Sequence, residues 1–329
     1  MNRREFARAS AAGVAGLMIP RAGAAQSAAT KGYRYIHLDV FTERRMQGNQ
    51  LFVFTQPTGL DTDPMETLTR ESNLSENTFV FPPEAAGTDH RVRIFTRTAE
   101  TPFAGHPTIG TAFALAHTGA ITPGTARTTF GLGVGPTTLD LEWKDGALSF
   151  AWMTQLKPTF GKTVADAGAL ATAIGLDAAS VDRRAPAQEV YSGSTFFILP
   201  LTTRKAVDTA VLDRAKADAV LSAAGIQRRG IYVFSVEQTG DGISAYSRML
   251  PAGGIEDPAT GSAVGPAGCF AAKYGFVPRE RIGAMTFLQG VFAKRPSWLH
   301  VKATMSGSDV TLVQVGGSSV VVGEGTMSI

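Results

Sequence analysis

Gly105-His106-Pro107-Thr108-Ile109-Gly110-Thr111-Ala112 and Glu256-Asp257-Pro258-Ala259-Thr260-Gly261-Ser262-Ala263 read as two copies of one design. Laid with His106 over Asp257, Pro107 meets Pro258, Gly110 meets Gly261, Thr111 meets Ser262 and Ala112 meets Ala263. Each copy follows a strand-like stretch that holds an arginine, Arg93 in the first and Arg248 in the second. Each leads into a run rich in Ala, Gly and Phe. The pattern predicts a helix after each motif, with the proline in its first turn, where a missing N–H costs nothing. A duplication kept for packing alone has no need to exchange a His for an Asp at matched positions. The repeat therefore predicts a single site built between two pseudo-equivalent lobes.

Outward from these motifs, strand signals dominate. Short runs rich in Val, Ile, Phe, Tyr and Thr occur at 33–41, 50–54, 78–81, 92–96, 137–143 and 147–153. The second half repeats the plan at 194–201, 230–236, 243–250, 285–289, 298–303, 310–315 and 319–324. Lys144-Asp145-Gly146 has the composition of a hairpin turn. Helices are predicted at 64–73, 164–174 and 213–224, the last two stopped by Gly175 and Gly225. The runs 107–117 and 258–274 are apolar or small on every face, and a helix of that kind is enclosed on all sides. The fold class that follows is α+β, with two pseudo-symmetric lobes, each a curved, mostly antiparallel sheet wrapped around one central helix. The lobes are expected over residues 33–157 and 158–329, with the last strand free to return to the first lobe.

The 329 residues, 44% of them hydrophobic, suffice for two cores of ordinary size. Residues 1–25 read as a twin-arginine signal peptide. Asn2-Arg3-Arg4-Glu5-Phe6 is followed by a weakly apolar run to Pro20 and by the small residues Ala22-Gly23-Ala24-Ala25. That run is shorter than the roughly 20 residues needed to span a bilayer. The expected destination is the periplasm or the exterior, with no membrane association once the signal is removed. The segment carries Arg3, Arg4, Arg8 and Arg21 against Glu5, which equals the whole formal charge of the chain, +3. The remainder is near neutral, and no basic run is interleaved with aromatics, so nucleic acid is not expected as a partner. Cys269 is the single cysteine, which excludes an internal disulfide and any two-thiol mechanism. Its apolar surroundings predict a buried, inert thiol. His37, His90, His106, His117 and His300 show no metal-ligand spacing, and no metal is expected. Gly131-Leu132-Gly133-Val134-Gly135 lacks the strand–turn–helix context of a phosphate loop and reads as a turn.

Taken together, Leu38-Asp39-Val40-Phe41-Thr42, Gly48-Asn49, Asn73-Leu74-Ser75-Glu76 and Pro102-Phe103-Ala104-Gly105-His106-Pro107-Thr108 resemble the PhzF-type phenazine-biosynthesis family, within the diaminopimelate-epimerase-like superfamily. The resemblance runs on through Arg93-Ile94-Phe95-Thr96, the Glu256–Ala263 motif, Gln289-Gly290, Arg295-Pro296-Ser297 and Val321-Val322-Gly323-Glu324-Gly325, and so covers nearly all of the chain after residue 25. The chain departs from the pattern at Gln50, where proline is common, at Asn77, where threonine is usual, and at Val291-Phe292-Ala293-Lys294 before Arg295. The resemblance implies the two-lobe fold, a homodimer, no cofactor and a proton-moving isomerase. It also implies that Glu76 is the general acid/base. The related epimerases use two cysteines at the helix starts, a mechanism that His106 and Asp257 exclude here.

The residues themselves support this chemistry. A carboxyl group at Glu76, in a cleft closed by apolar lobes, has its pKa raised toward the operating pH. Asp257 across the cleft is expected to orient His106 and support its charged form. The helix starts around Thr108–Gly110 and Ala259–Gly261, with the hydroxyls of Thr111 and Ser262, are anion-receptive ends suited to a small carboxylate substrate. Asn49, Ser75 and Gly105, from the family motifs, complete the expected substrate-binding set with Thr108, Gly110, Thr111, Gly261 and Ser262. The expected function is a double-bond isomerisation or epimerisation of a small carboxylic acid. A dehydratase or lyase on the same scaffold is the nearest alternative enzyme, and a catalytically silent periplasmic small-acid binding protein the alternative from another class.

Overall fold

Parallel strands cannot be joined by a tight turn; they need a crossover of a dozen or more residues, usually through a helix. Four such crossovers organise this chain. The structure, a computed structural model, describes residues 31–227, 230–251 and 255–329, and the signal-peptide reading of residues 1–25 lies outside them. Strands Asn49–Phe54 and Glu76–Phe81 are parallel and joined through helix Thr62–Ser72. Glu76–Phe81 turns back antiparallel into His90–Thr96, and helix Gly105–His117 then carries the chain to Arg127–Leu132, parallel to His90–Thr96.

The second half repeats the order. Thr195–Pro200 and Ile231–Ser235 are parallel, joined through helices Arg204–Thr209 and Arg214–Ala223. Ile231–Ser235 turns into Ala245–Leu250, and helix Gly261–Lys273 leads to Met285–Gln289, parallel to Ala245–Leu250. Antiparallel hairpins complete both halves, Gly135–Lys144 with Ala147–Thr154 in the first and Ser297–Ser306 with Asp309–Gly317 in the second. The halves are stitched together where Gln314–Gly317 pairs with Ala151–Thr154, and where the final strand Ser319–Ser328 pairs with the first, Gly32–Val40.

Two helices form the centre. Gly105–Leu115 are all buried, as are Gly261 and Ala263–Ala272. A helix apolar on every face has no solvent side, so sheet must surround it. Gly110 lies against Leu51 and Val40, and Gly268 against Met285 and Val301, small residues that let strands close on the helix backbone. Cys269 is buried in the second helix, and burial pushes its thiol up to about 12.

Some boundaries differ from the sequence reading. The second central helix starts at Gly261 rather than 258, because Asp257 and Thr260 hold the intervening residues in a hydrogen-bonded loop that enters it. Pro107 does sit in the first turn of its helix, whereas Pro258 lies outside its own. The helix expected from 164 begins at Ala167, capped by Asp166, whose carboxylate accepts the Ala169 N–H at 2.9 Å, since Thr159–Val164 is already committed to a strand. Glycines 131, 133 and 135 sit at the end, turn and restart of a hairpin, as the turn reading requires.

The central helices are 13 residues each and both begin on glycine, which re-registers the repeat. Gly105-His106 matches Gly261-Ser262; His106 lies inside its helix and Asp257 lies in the loop before the other. The two starts touch backbone to backbone. A Cβ on Gly105 would collide with the carbonyl carbon of Gly261 and the nitrogen of Ser262, and one on Gly261 would come within 3.1 Å of the Gly105 Cα.

Gly105→Ala should therefore force two backbones apart, at about 1–3 kcal/mol of stability, typical of overpacking. Gly283→Ala, where an added Cβ meets nothing within 4 Å, should leave the denaturation midpoint unchanged. Equal midpoints for the two variants in urea unfolding would contradict the contact.

Candidate active site

The site is assembled from the turn that carries Asn49. Gly48 adopts φ +67°, and a Cβ there would strike the carbonyl of Val40, so the turn admits only glycine. Arg295, from the far end of the chain, fixes it. Its Nε donates to the Gly48 carbonyl at 2.8 Å, and its NH2 group donates to the Gln47 carbonyl at 2.8 Å and to the buried Asp39 carboxylate. The other Asp39 oxygen accepts the Met46 N–H at 2.6 Å. Held this way, Asn49 Nδ2 faces three acceptors: His106 Nδ1 at 3.1 Å, Asp257 Oδ1 at 2.5 Å and the Ala259 carbonyl at 2.9 Å. An amide nitrogen has two protons to give, so the three compete.

Asp257 is pinned from every side. Thr260 Oγ1 donates to its Oδ2 at 2.8 Å, and Gln289 Nε2 donates to its carbonyl at 2.9 Å. Gln289 also accepts the Thr260 N–H at 3.3 Å and donates to the Thr260 hydroxyl at 3.0 Å. One residue earlier, Glu256 takes a bidentate pair from Arg248 at 2.9 and 2.7 Å. Arg248 donates as well to the carbonyls of Val207, Asp208 and Ala210, and Phe292 stacks on its guanidinium at 3.7 Å.

Glu76 is the first residue of its strand, and its Oε2 lies 3.5 Å from His106 Nδ1. Its carboxyl makes no hydrogen bond among the described residues and is 19% exposed. Burial, reinforced by the negative charge of Asp257, pushes Glu76 up to about 8. Burial likewise pushes Asp257 up to about 6, against the pull of the bonds from Thr260, Ala259 and Asn49 and with a further push from Glu256. Burial pushes His106 down to about 3, opposed by the Gln50 backbone. At neutral pH the site thus holds a protonated Glu76, an ionised Asp257 and a neutral imidazole. The expectation of a charged His106 supported by Asp257 is corrected here: Asn49 stands between them, and desolvation outweighs any attraction. His106 Nε2 is buried with no hydrogen-bond partner among the described residues.

The remaining candidates divide cleanly. Gly105 and Gly261 are at the helix contact, and Gln155 Nε2 donates to the Gly261 carbonyl at 2.9 Å. Ser262 is half-buried in the first helical turn, its hydroxyl without a bond among the described residues. The first N–H groups of both helices lack intrahelical partners, which makes the junction anion-receptive. Thr108 and Thr111 are not part of it. Their hydroxyls donate to the Ala104 and Pro107 carbonyls at 2.6 and 2.7 Å, Thr111 also meets Thr78 at 2.9 Å, and Gly110 faces the sheet. Ser75 is exposed on the turn before Glu76. Among the described residues no group of three or more His, Cys, Asp or Glu side chains is placed to hold a metal ion. The positioning residues Asp39, Gln289 and Arg295 stand in recognisable motifs, but nothing in the sequence says that they converge.

Fold and site together define a two-helix scaffold of the kind that isomerases use, with Glu76, His106 and Asp257 gathered beside its helix starts. Residues 38–325 match the family model for phenazine biosynthesis-like proteins, PhzC-PhzF, and the chain belongs to that family. A trans-2,3-dihydro-3-hydroxyanthranilate isomerase of Pseudomonas aeruginosa is 35% identical over 299 residues, spanning 89% of this chain and 98% of its own. An uncharacterized isomerase of Mesorhizobium japonicum is 32% identical over 299 residues, spanning 90% and 98%. The crystal structure of a PhzF-family protein of Bacillus anthracis superposes with a TM-score of 0.80 at 24% identity, over 91% of this chain and 100% of that one. A hydroxyproline epimerase of Agrobacterium vitis shares the fold, with a TM-score of 0.65 at 12% identity over 91% and 92% of the two chains. The chain is an isomerase with the α+β, diaminopimelate-epimerase-like architecture that the motifs imply.

The raised Glu76 has a consequence for stability. In the unfolded chain it titrates near 4.5 and in the folded protein near 8, so the folded state holds the proton more tightly. Its contribution is fully present below about 4.5 and is lost as pH rises to about 8. Glu76→Gln should gain stability relative to the parent as pH goes from 5 to 8.5 in paired urea titrations. A pH-independent difference between the two would show that Glu76 is not desolvated.

Proposed function

We propose that this chain is a cofactor-independent isomerase that moves a proton between two carbons of a small carboxylic acid, shifting a double bond or a stereocentre. The observation that carries the reading is the contrast between its two carboxyl groups. Both oxygens of Asp257 are occupied as acceptors, whereas the Glu76 carboxyl is unbonded and raised into the working range of a general acid/base. Glu76 gives its proton to one carbon of the substrate and, now ionised, takes one back from another. Asp257 supplies the fixed negative charge that keeps Glu76 loaded in the resting site. Neutral His106, oriented by Asn49, lies alongside the transferring carboxyl at 3.5 Å. The substrate carboxylate docks at the helix starts, where the N–H groups and the Ser262 hydroxyl stabilise charge that develops on it. The Pseudomonas relatives are named for a dihydrohydroxyanthranilate, itself a small carboxylic acid, and only that class is carried over.

With that acid as the probe in D2O, the product should gain carbon-bound deuterium, and Glu76→Gln should lose about 10²–10⁴ in turnover. Activity should rise through about pH 6 as Asp257 ionises and fall through about pH 8 as Glu76 loses its proton, the two limbs belonging to the coupled pair. Turnover without deuterium, or near-native rates in the folded Glu76→Gln protein, would overturn the assignment. Binding with no turnover would indicate the silent binding protein, and loss of water from the acid the dehydratase.

We also propose that the protein works outside the cytoplasm, on the strength of Arg3-Arg4 and the small-residue end at Ala25. Replacing both arginines by lysine should leave uncleaved precursor in the cytoplasm, and unchanged processing would refute the reading.

A further inference from the structure

A second cavity, of about 380 Å³, lies apart from Glu76, His106 and Asp257. Phe150 and Trp298 wall it, Phe41 lines it with its ring buried against Gly261 and Gly317, and Glu43, Arg44 and His300 also face it. The volume is that of a small-molecule site.

The two charged groups at its mouth are exposed, and the Glu43 carboxylate acts on the His300 imidazole. Among the described residues neither Glu43 nor Arg44 makes a side-chain hydrogen bond or ion pair, and Trp298 Nε1 has no acceptor. His300 meets Thr286 Oγ1 through Nδ1 at 3.3 Å, leaving Nε2 open, and its ring stands edge-on to Phe150 at 5.3 Å. Burial holds this imidazole below its ordinary range, against the pull of the Glu43 carboxylate.

The lining is strained at Phe41. Phe41 adopts φ +65°, a conformation that a bulky side chain rarely takes. Its N–H donates to the Ser318 carbonyl at 2.9 Å, and its own carbonyl accepts the Trp298 N–H at 2.9 Å. Strain of this kind persists only where surrounding bonds enforce it, and it clusters at ligand clamps.

We propose that this cavity binds a small aromatic zwitterion, in chemical class an aromatic α-amino acid. Aromatic walls select a flat ring. Adjacent residues of opposite charge select an ammonium and a carboxylate on neighbouring atoms, the carboxylate toward Arg44 and the ammonium toward Glu43. Trp298 Nε1 and His300 Nε2 remain to meet a polar substituent on the ring. A ligand with one charge meets only one of Glu43 and Arg44. The proposal is independent of the role given to Glu76.

The test is calorimetric titration of the full chain with L-phenylalanine, hydrocinnamate and phenethylamine as probes. L-Phenylalanine should bind one per chain and at least tenfold tighter than either single-charge analogue. Arg44→Ala, on an exposed loop, should weaken it at least tenfold without changing turnover, as should Trp298→Leu, while Trp298→Phe retains binding. Glu76→Gln should bind it as the parent does. No binding at millimolar concentration, binding indifferent to Arg44→Ala, or binding lost with Glu76→Gln would each overturn the site. So would a Trp298 signal, taken as the difference between the parent and Trp298→Phe emission, that responds to protein dilution and not to the probe, the signature of a second chain covering this face.

Discussion

Two helix N-termini brought into backbone contact are the constraint on which the other features depend. Neither Gly105 nor Gly261 can carry a side chain without pushing its partner away. The unpaired N–H groups of two first turns are thereby concentrated at one point, which a single helix does only half as well. Because both helices are buried along nearly their whole length, the sheets have to close around them. The contact also explains why loops, and not helix faces, bring the carboxyl groups in. Neither glycine can carry a side chain there, so Asp257 approaches on the loop before one helix and Glu76 from the start of a strand.

The electrostatics follow from how each acid is solvated. Asp257 exchanges lost water for three bonds from Thr260, Ala259 and Asn49, and burial still wins by a margin that leaves it ionised at neutral pH. Glu76 receives no such replacement and faces Asp257 besides, so it keeps its proton. A carboxyl pair with one well-bonded and one bare member sorts itself into an ionised and a protonated group. His106 adds no charge, because desolvation of an imidazole with no bonded carboxylate favours the neutral ring.

Much of this was legible in the residues. The runs after Gly105 and Gly261 are apolar on every face, and that alone predicts enclosure. The Glu-Asp-Pro and Gly-His-Pro strings mark two residues, Asp257 and His106, that meet at Asn49. What periodicity cannot show is depth along a helix. Aligning Pro107 with Pro258 placed His106 over Asp257, whereas the structure matches the glycines that begin each helix, a shift that also carries Thr108 and Thr111 into packing. The strands Glu100–Thr101, Arg127–Leu132, Thr159–Val164 and Ala187–Tyr191 went unread because each is short or half polar and takes its order from its neighbours. Asn49 and Arg295 are 246 positions apart, and no local pattern links residues that meet only after folding.

The Arg295 clamp has a consequence for how the protein is made. Asp39 and the Gly48 turn emerge from the ribosome early, yet the guanidinium that fixes them is nearly the last functional group translated. The first strand likewise waits for the closing strand, Ser319–Ser328, to cover its edge. A nascent chain therefore carries Asn49 on an unsupported turn through most of synthesis, and non-local closure of this kind is slow. The turn that carries Asn49 is fixed in one late step, and a chain cut short before residue 295 lacks the guanidinium that holds it.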